Sequence, residues 1–194
     1  MPSHNLERLI EGNRRFSLGQ ALRSDISVAR RHETRQSQQP FAMILGCSDS
    51  RVPPEIIFDC GLGDLFVIRT GGHTIDKAVA ESILFGIKSF AIPLVLVLGH
   101  KRCGAVSAAL QNWQAKCGDY DTFRTIIEQI TPAMEQGKIE NCKDEDELLD
   151  SVILAHVNQT VIRLRNLITP ISNSTEVLGA YYDLDTGIVN IVSG

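Results

Sequence analysis

The chain has 194 residues, 43% of them hydrophobic and 22% charged, an ordinary globular composition that excludes a disordered or coiled-coil protein. Nineteen Lys and Arg against 23 Asp and Glu leave a net charge of −4, so no global field draws the chain to nucleic acid or to an anionic membrane. The longest apolar stretch, Phe90 to Gly99, is about half of a membrane span, the polar N-terminus has no signal-peptide core, and five cysteines without regular spacing do not form a disulfide framework. The expectation is one domain, residues 1–194, in the cytoplasm, with no nucleic-acid partner and no membrane span.

Leu6, Leu9, Ile10 and Phe16 have partial helical spacing, and Gly19 should end that helix. Residues 20–39, rich in Arg, Ser and Gln, read as a solvated helix or arm over the body. Phe41 to Gly46 is a short apolar run closed by glycine, the pattern of a buried strand. Leu65 to Arg69 is a second such run, and Pro93 to Leu98 is the third and clearest. Ile75 to Phe90 and Cys103 to Trp113 carry helical spacing. Strand, helix, strand, helix predicts a parallel sheet with helical crossovers.

Phe123, Ile126, Ile127 and Ile130 predict a helix that Pro132 should break or kink. Asp144 reads as the N-cap of a long helix that reaches Ile168, with Pro170 beyond it. Glu176 to Tyr182 and Ile188 to Val192, around Asp185-Thr186-Gly187, read as a terminal hairpin. The fold class is α/β, with a mostly parallel central sheet, flanking helices and an antiparallel C-terminal edge strand.

The chemistry follows two strands. The first ends in Cys47-Ser48-Asp49-Ser50-Arg51 and the third in Gly99-His100-Lys101-Arg102-Cys103-Gly104. In open parallel sheets ligands bind beyond the carboxyl ends of strands, so these loops share one crevice if the strands are neighbours. Thiolate and imidazole are preferred Zn²⁺ ligands, and Cys47, His100 and Cys103 offer three corners of a tetrahedron. Asp49 can complete it, or stand aside and leave the fourth position to water. Two thiolates and a neutral His cancel the charge of Zn²⁺, so such a site acidifies water less than a three-histidine site does. An ionised Asp49, held by Arg51 through paired hydrogen bonds, would compensate by orienting the water, and the pair would gate the site.

Each residue also has a commoner role. A lone Cys is usually a small hydrophobe, the reading given to Cys60, Cys117 and Cys142. An Asp-x-Arg pair is usually a structural ion pair. A structural zinc with Asp49 as fourth ligand is the remaining alternative at the metal.

The chain resembles the β-class carbonic anhydrases. The resemblance is carried by Glu11-Gly12-Asn13, Cys47-Ser48-Asp49-Ser50-Arg51-Val52-Pro53, Gly61 to Arg69, Leu98-Gly99-His100 with Cys103-Gly104-Ala105-Val106, and Tyr182-Asp183-Leu184 with Thr186-Gly187. It implies the β-carbonic anhydrase fold, zinc on Cys47, His100 and Cys103, and reversible hydration of CO₂ to bicarbonate and a proton by attack of zinc-bound hydroxide. Asp49 and Arg51 would be the catalytic dyad, with Asp49 a fourth zinc ligand in a closed state. It also implies substrate contacts at Gln38, Phe66 and Gly104. A homodimer or homotetramer is expected, with residues 1–39 packing on the partner subunit.

Three positions depart from the family pattern. Arg69-Thr70-Gly71-Gly72-His73 replaces a more usual Arg-Asn-x-Ala-Asn, Phe85 stands where a Tyr is often found, and Ile44 replaces the Trp of allosteric members, so their bicarbonate inhibitory site is expected to be absent. His73 is the one nearby group that could carry the released proton, although a loop histidine is more often structural. Relatives with the same zinc site hydrolyse carbonyl sulfide or carbon disulfide, and a non-catalytic zinc protein is a further alternative.

Overall fold

The computed structural model describes residues 3–22, 25–115, 122–136, 142 and 144–193. At its centre five strands stand in the order β2-β1-β3-β4-β5: β1 (Ala42–Cys47), β2 (Leu65–Thr70), β3 (Leu94–His100), β4 (Glu176–Tyr182) and β5 (Val189–Ser193). The first four are parallel, and β5 runs antiparallel to β4. Around them lie α1 (His4–Ser17), α2 (Val28–Thr34), α3 (Pro54–Ile57), α4 (Lys77–Phe90), α5 (Gly104–Ala115), α6 (Arg124–Gln136) and α7 (Glu145–Ile168), with one 3-10 turn at Gly71–His73. This is the mostly parallel sheet with an antiparallel edge that the sequence predicts.

β1 and β3 are buried along their whole length, and apolar up to His100, because helices cover both faces of the sheet. Successive side chains alternate in direction, so Ile44, Leu96 and Leu98 pack with Val106, Ile130 and Ile153. Met43, Leu45, Val95 and Val97 pack with Ile83, Ile87, Val157 and Leu164 on the other face. Register pairs Gly46 with Leu98, which brings the carboxyl ends of β1 and β3 to one edge. At that edge Gly99 admits α7 closely. A Cβ there would lie 2.5 Å from Val157 Cγ2 and 3.2 Å from Ile153 Cγ2.

The helix starts follow local chemistry. The side chains of Ser3, Asp76 and Asp144 accept backbone N–H bonds from Leu6, Val79 and Glu147, which satisfies donors that a helix leaves open. Gly19 closes α1 at φ 69°, as predicted. Pro132 does not break its helix: α6 runs from Arg124 to Gln136 through it. Ile127, Ile130, Ala133 and Met134 on both sides of the proline are buried in one core, and that packing outweighs the lost backbone bond. Residues 116–121, with Cys117, lie outside the described residues.

α1 packs on its own chain through Leu6 and Leu9 and through Asn13, which is 4% exposed. Asn13 Nδ2 donates to the carbonyls of Ile57 (3.3 Å) and Gly187 (2.9 Å), and its Oδ1 accepts from Val189 N at 2.8 Å. One amide thus joins α1, α3 and the terminal hairpin. Gly12, one residue earlier, lets α1 approach so closely that an added Cβ would collide with the Phe58 carbonyl. Gly12→Ala should therefore lower the free energy of unfolding by about 1–3 kcal/mol, although alanine favours an isolated helix by about 1 kcal/mol. Urea denaturation reads this directly, and an equal or higher midpoint would contradict the close-approach account.

Candidate metal centre

Cys47 is the last residue of β1, His100 is the last of β3, and Cys103 precedes α5. Between His100 and Cys103, Arg102 takes a left-handed φ of 54°, an unusual conformation for a long side chain. It folds the loop back so that both ligand atoms face the Cys47 sulfur. The ligand atoms of Cys47, His100 and Cys103 all lie within 4.8 Å of one another, and all three residues are buried.

The two sulfurs are 3.8 Å apart. The Cys103 thiol bond, with the backbone N–H groups of Asp49 and Gly72, holds the Cys47 thiol well below the usual range. That same bond, together with burial, pushes Cys103 up. His100 Nδ1 sits 3.0 Å from the Lys101 carbonyl, so Nδ1 carries the hydrogen and Nε2 is left as the lone-pair donor. That Nε2 is buried without a protein partner. Zn–S bonds of about 2.3 Å at a tetrahedral angle place two sulfurs about 3.8 Å apart, so the donor set fits zinc in both chemistry and spacing.

Asp49 is not part of that group. Its carboxylate takes two bonds from Arg51, Nε to Oδ1 at 3.0 Å and Nη2 to Oδ2 at 2.7 Å, and a third from the Arg51 backbone N–H at 2.9 Å. The guanidinium holds its pKa down at about 2. The arrangement is the one with Arg51 engaged.

Arg69 performs a task that sequence reading did not assign. At the end of β2 its Nε donates to the Cys47 carbonyl at 2.8 Å and its Nη2 to the Asp49 carbonyl at 2.5 Å, fixing the backbone on both sides of Ser48. Its register opposite Gly46, at the ligand edge, is the signal that could have found it. Gly72 contributes its backbone N–H to Cys47 Sγ at 3.4 Å. The other loop is pinned to the terminal hairpin, where Arg102 donates twice to Asp185 at 2.8 Å and Lys101 Nζ lies 3.0 Å from the same carboxylate.

The remaining candidates lie elsewhere. Gly104 follows Cys103 directly, and an added Cβ there would meet nothing within 4 Å, so its backbone borders open space at the site. Gln38 is exposed and lines a groove of about 560 Å³ with Arg8, Arg30 and Asp64, at the opposite end of β1. Phe66 pairs in register with Met43 and packs on Phe90 at 6.0 Å. This chain alone therefore does not bring Gln38 or Phe66 to the Cys-His-Cys group. His73 is 1% exposed, stacks on His156 at 4.4 Å, and is kept neutral chiefly by burial. That placement matches the structural role and not a solvent-reaching proton carrier. Ile44 is fully buried and Phe85 exposed.

Residues 42–189 match the family model described as carbonic anhydrase. The chain is 38% identical over 202 residues to the carbonic anhydrase of Mycolicibacterium smegmatis, covering 100% of this chain and 96% of that one. It is 41% identical over 186 residues to carbonic anhydrase 2 of Mycobacterium tuberculosis, covering 92% and 87%. In fold it is similar to the Coccomyxa β-carbonic anhydrase solved with acetazolamide, at a TM-score of 0.74 and 23% identity over 98% of this chain and 87% of that one. It is also similar to a tetrameric β-carbonic anhydrase of Sordaria macrospora, at a TM-score of 0.70 and 22% identity over 84% and 89%. With two buried thiols and an imidazole converging at the ends of adjacent parallel strands, the chain belongs to the carbonic anhydrase family, in its β class.

Proposed function

We propose that this chain catalyses the reversible hydration of carbon dioxide to bicarbonate and a proton at a zinc ion held by Cys47, His100 and Cys103. The observation that carries the reading is the convergence of three ligand atoms within 4.8 Å, beside a carboxylate that Arg51 keeps occupied. Zinc bound there supplies a Lewis acid that lowers the pKa of water and so makes a nucleophile available near neutral pH. Three protein ligands leave the fourth position open, which is a catalytic arrangement.

Asp49, with Arg51 on both oxygens, would accept a hydrogen bond from a water brought to the ligand edge and orient its lone pair toward the substrate carbon. Its pKa is depressed, so the ion pair is present above the ordinary carboxylate value of 3.8 and is lost only as pH falls through about 2. Asp49 therefore stays charged across the working range. Release of Arg51 would free the carboxylate to take the fourth metal position and close the site. The open space at Gly104 admits a linear substrate beside the ligands.

As substrate contacts, Gln38 and Phe66 would have to act across a subunit boundary, which fits a homodimer or a homotetramer. The free edge of β2 and the exposed Leu22, Ile26, Val28 and Ile56 are surfaces that such an assembly would cover. Thiols that must stay reduced to hold the metal suit the cytoplasm.

Stopped-flow CO₂ hydration on zinc-loaded protein, with sulfide release from carbonyl sulfide and carbon disulfide measured on the same preparation, tests the reading. CO₂ hydration should dominate. Zinc present with no hydration from mildly acid to alkaline pH would leave a structural zinc, and dominant sulfide release would make the chain a hydrolase of the sulfur analogues. Cys47→Ala or His100→Ala should lose metal and activity together, by elemental analysis and stopped flow. Asp49→Ala should keep its zinc and lose hydration by about a hundredfold, and full activity in that variant would sink the gating role. Chelation should open Cys47 to iodoacetamide, followed by peptide mapping. Cys60, whose thiol burial pushes up to about 12, should stay unmodified in both forms.

A further inference from the structure

α7 meets the ligand edge at Gly99 through Val157. The residue before Val157 is His156, which is 3% exposed and has no part in the hydration chemistry described above. Its Nε2 lies 2.9 Å from the Gly72 carbonyl. A carbonyl only accepts, so Nε2 carries the hydrogen and donates it. The same ring stacks on His73, with centroids 4.4 Å apart and planes at 30°. One side chain of α7 thus touches both residues of the Gly72-His73 step.

That step has an uncommon backbone. Gly72 has φ 61° and ψ 33°, and His73 follows at φ 46°. Two successive left-handed residues, the second with a side chain, persist only where the surroundings hold them. The conformation has one direct product: the Gly72 N–H points at Cys47 Sγ, 3.4 Å away. The peptide that carries this N–H is anchored at its carbonyl, where Thr74 Oγ1 donates to Gly71 O at 3.1 Å. The next peptide is anchored at its carbonyl by His156. With the planes on both sides of Gly72 fixed, the aim of its N–H is fixed too. The stretch Thr70-Gly71-Gly72-His73 is also where the sequence departs from the family pattern, so the contact belongs to this chain's own residues.

An N–H aimed at a thiolate draws electron density from the sulfur that would otherwise go to a bound metal. The effect matters in this donor set, because two thiolates and a neutral imidazole already cancel the charge of Zn²⁺. We propose that His156 is a positioning residue of the metal centre. By donating to the Gly72 carbonyl it keeps the Gly72 N–H on Cys47 Sγ, so that this sulfur donates less strongly and the metal remains a better Lewis acid. The proposal rests on the reading of Cys47 as a metal ligand. The competing account is that His156 only fills space between α7 and the turn.

Cobalt(II) in place of zinc makes the metal–sulfur bond visible without relying on the reaction. Its sulfur-to-metal charge-transfer absorption in the near ultraviolet moves to lower energy when a sulfur loses a hydrogen bond, because the sulfur lone pair then rises. Variants of the Co(II)-loaded chain separate the donor from the shape. His156→Phe keeps a ring that can stack on His73 but has no N–H, and its band should move to longer wavelength. His156→Gln loses the ring but carries an amide N–H at about the reach of the imidazole Nε2, and its band should stay at the wild-type position. Space-filling alone predicts the reverse order. If the Phe chain does not fold, His156→Asn, whose amide stops one bond short, takes its place and should show the same shift. A band unmoved in the variant without the donor, or moved in His156→Gln, would overturn the proposal and leave the metal reading intact. A wild-type chain that shows no sulfur-to-metal band with Co(II) would overturn the ligand reading of Cys47, and this proposal with it.

Discussion

Two sulfurs held 3.8 Å apart in a buried pocket are the constraint around which this molecule is organised. Two thiolates cannot share such a place without a cation, because burial and mutual repulsion both oppose the second ionisation. The opposite shifts of Cys47 and Cys103 express that conflict, and a divalent ion bound between them would resolve it. The unpartnered Nε2 of His100 completes a donor set that has no comparable purpose as a hydrophobic or hydrogen-bonded core.

Holding that pocket requires strain and clamps in the backbone. Arg102 and His73 both adopt positive φ, conformations that cost on the order of 1–2 kcal/mol in a non-glycine residue. The surroundings offset this. Asp185 fixes the Arg102 side chain from the hairpin, Arg69 ties down the Cys47 and Asp49 carbonyls, and α7 closes on Gly99. Asn13 links the hairpin in turn to α1 and α3. The ligand loops thus rest on a connected set of elements from both ends of the chain.

The sheet and the ligand triplet were legible in the sequence because both depend on local pattern. Unbroken apolar runs closed by Gly46 and Gly99 mark buried strands, and the Cys and His residues follow those ends directly. What was not legible depends on register and packing. Arg69 becomes a clamp only because β2 pairs with β1 so that Arg69 stands opposite Gly46. Pro132 is tolerated because a core on both sides of it holds α6 together, which no local propensity records. The sequence left His73 between a structural loop residue and a proton carrier, and the stacking of His156 against it, with 1% exposure, decides for the first. Gln38 and Phe66 sit in this chain away from the ligand edge, a placement that depends on strand register and not on local pattern.

The most direct measurement is a crystal structure of the metal-loaded protein at neutral pH, with anomalous data collected across the zinc absorption edge. The account predicts one zinc peak bonded to Cys47 Sγ and Cys103 Sγ at about 2.3 Å and to His100 Nε2 at about 2.0–2.1 Å, with Asp49 still on Arg51. A peak located elsewhere, or bonded to fewer than these three side chains, would contradict it.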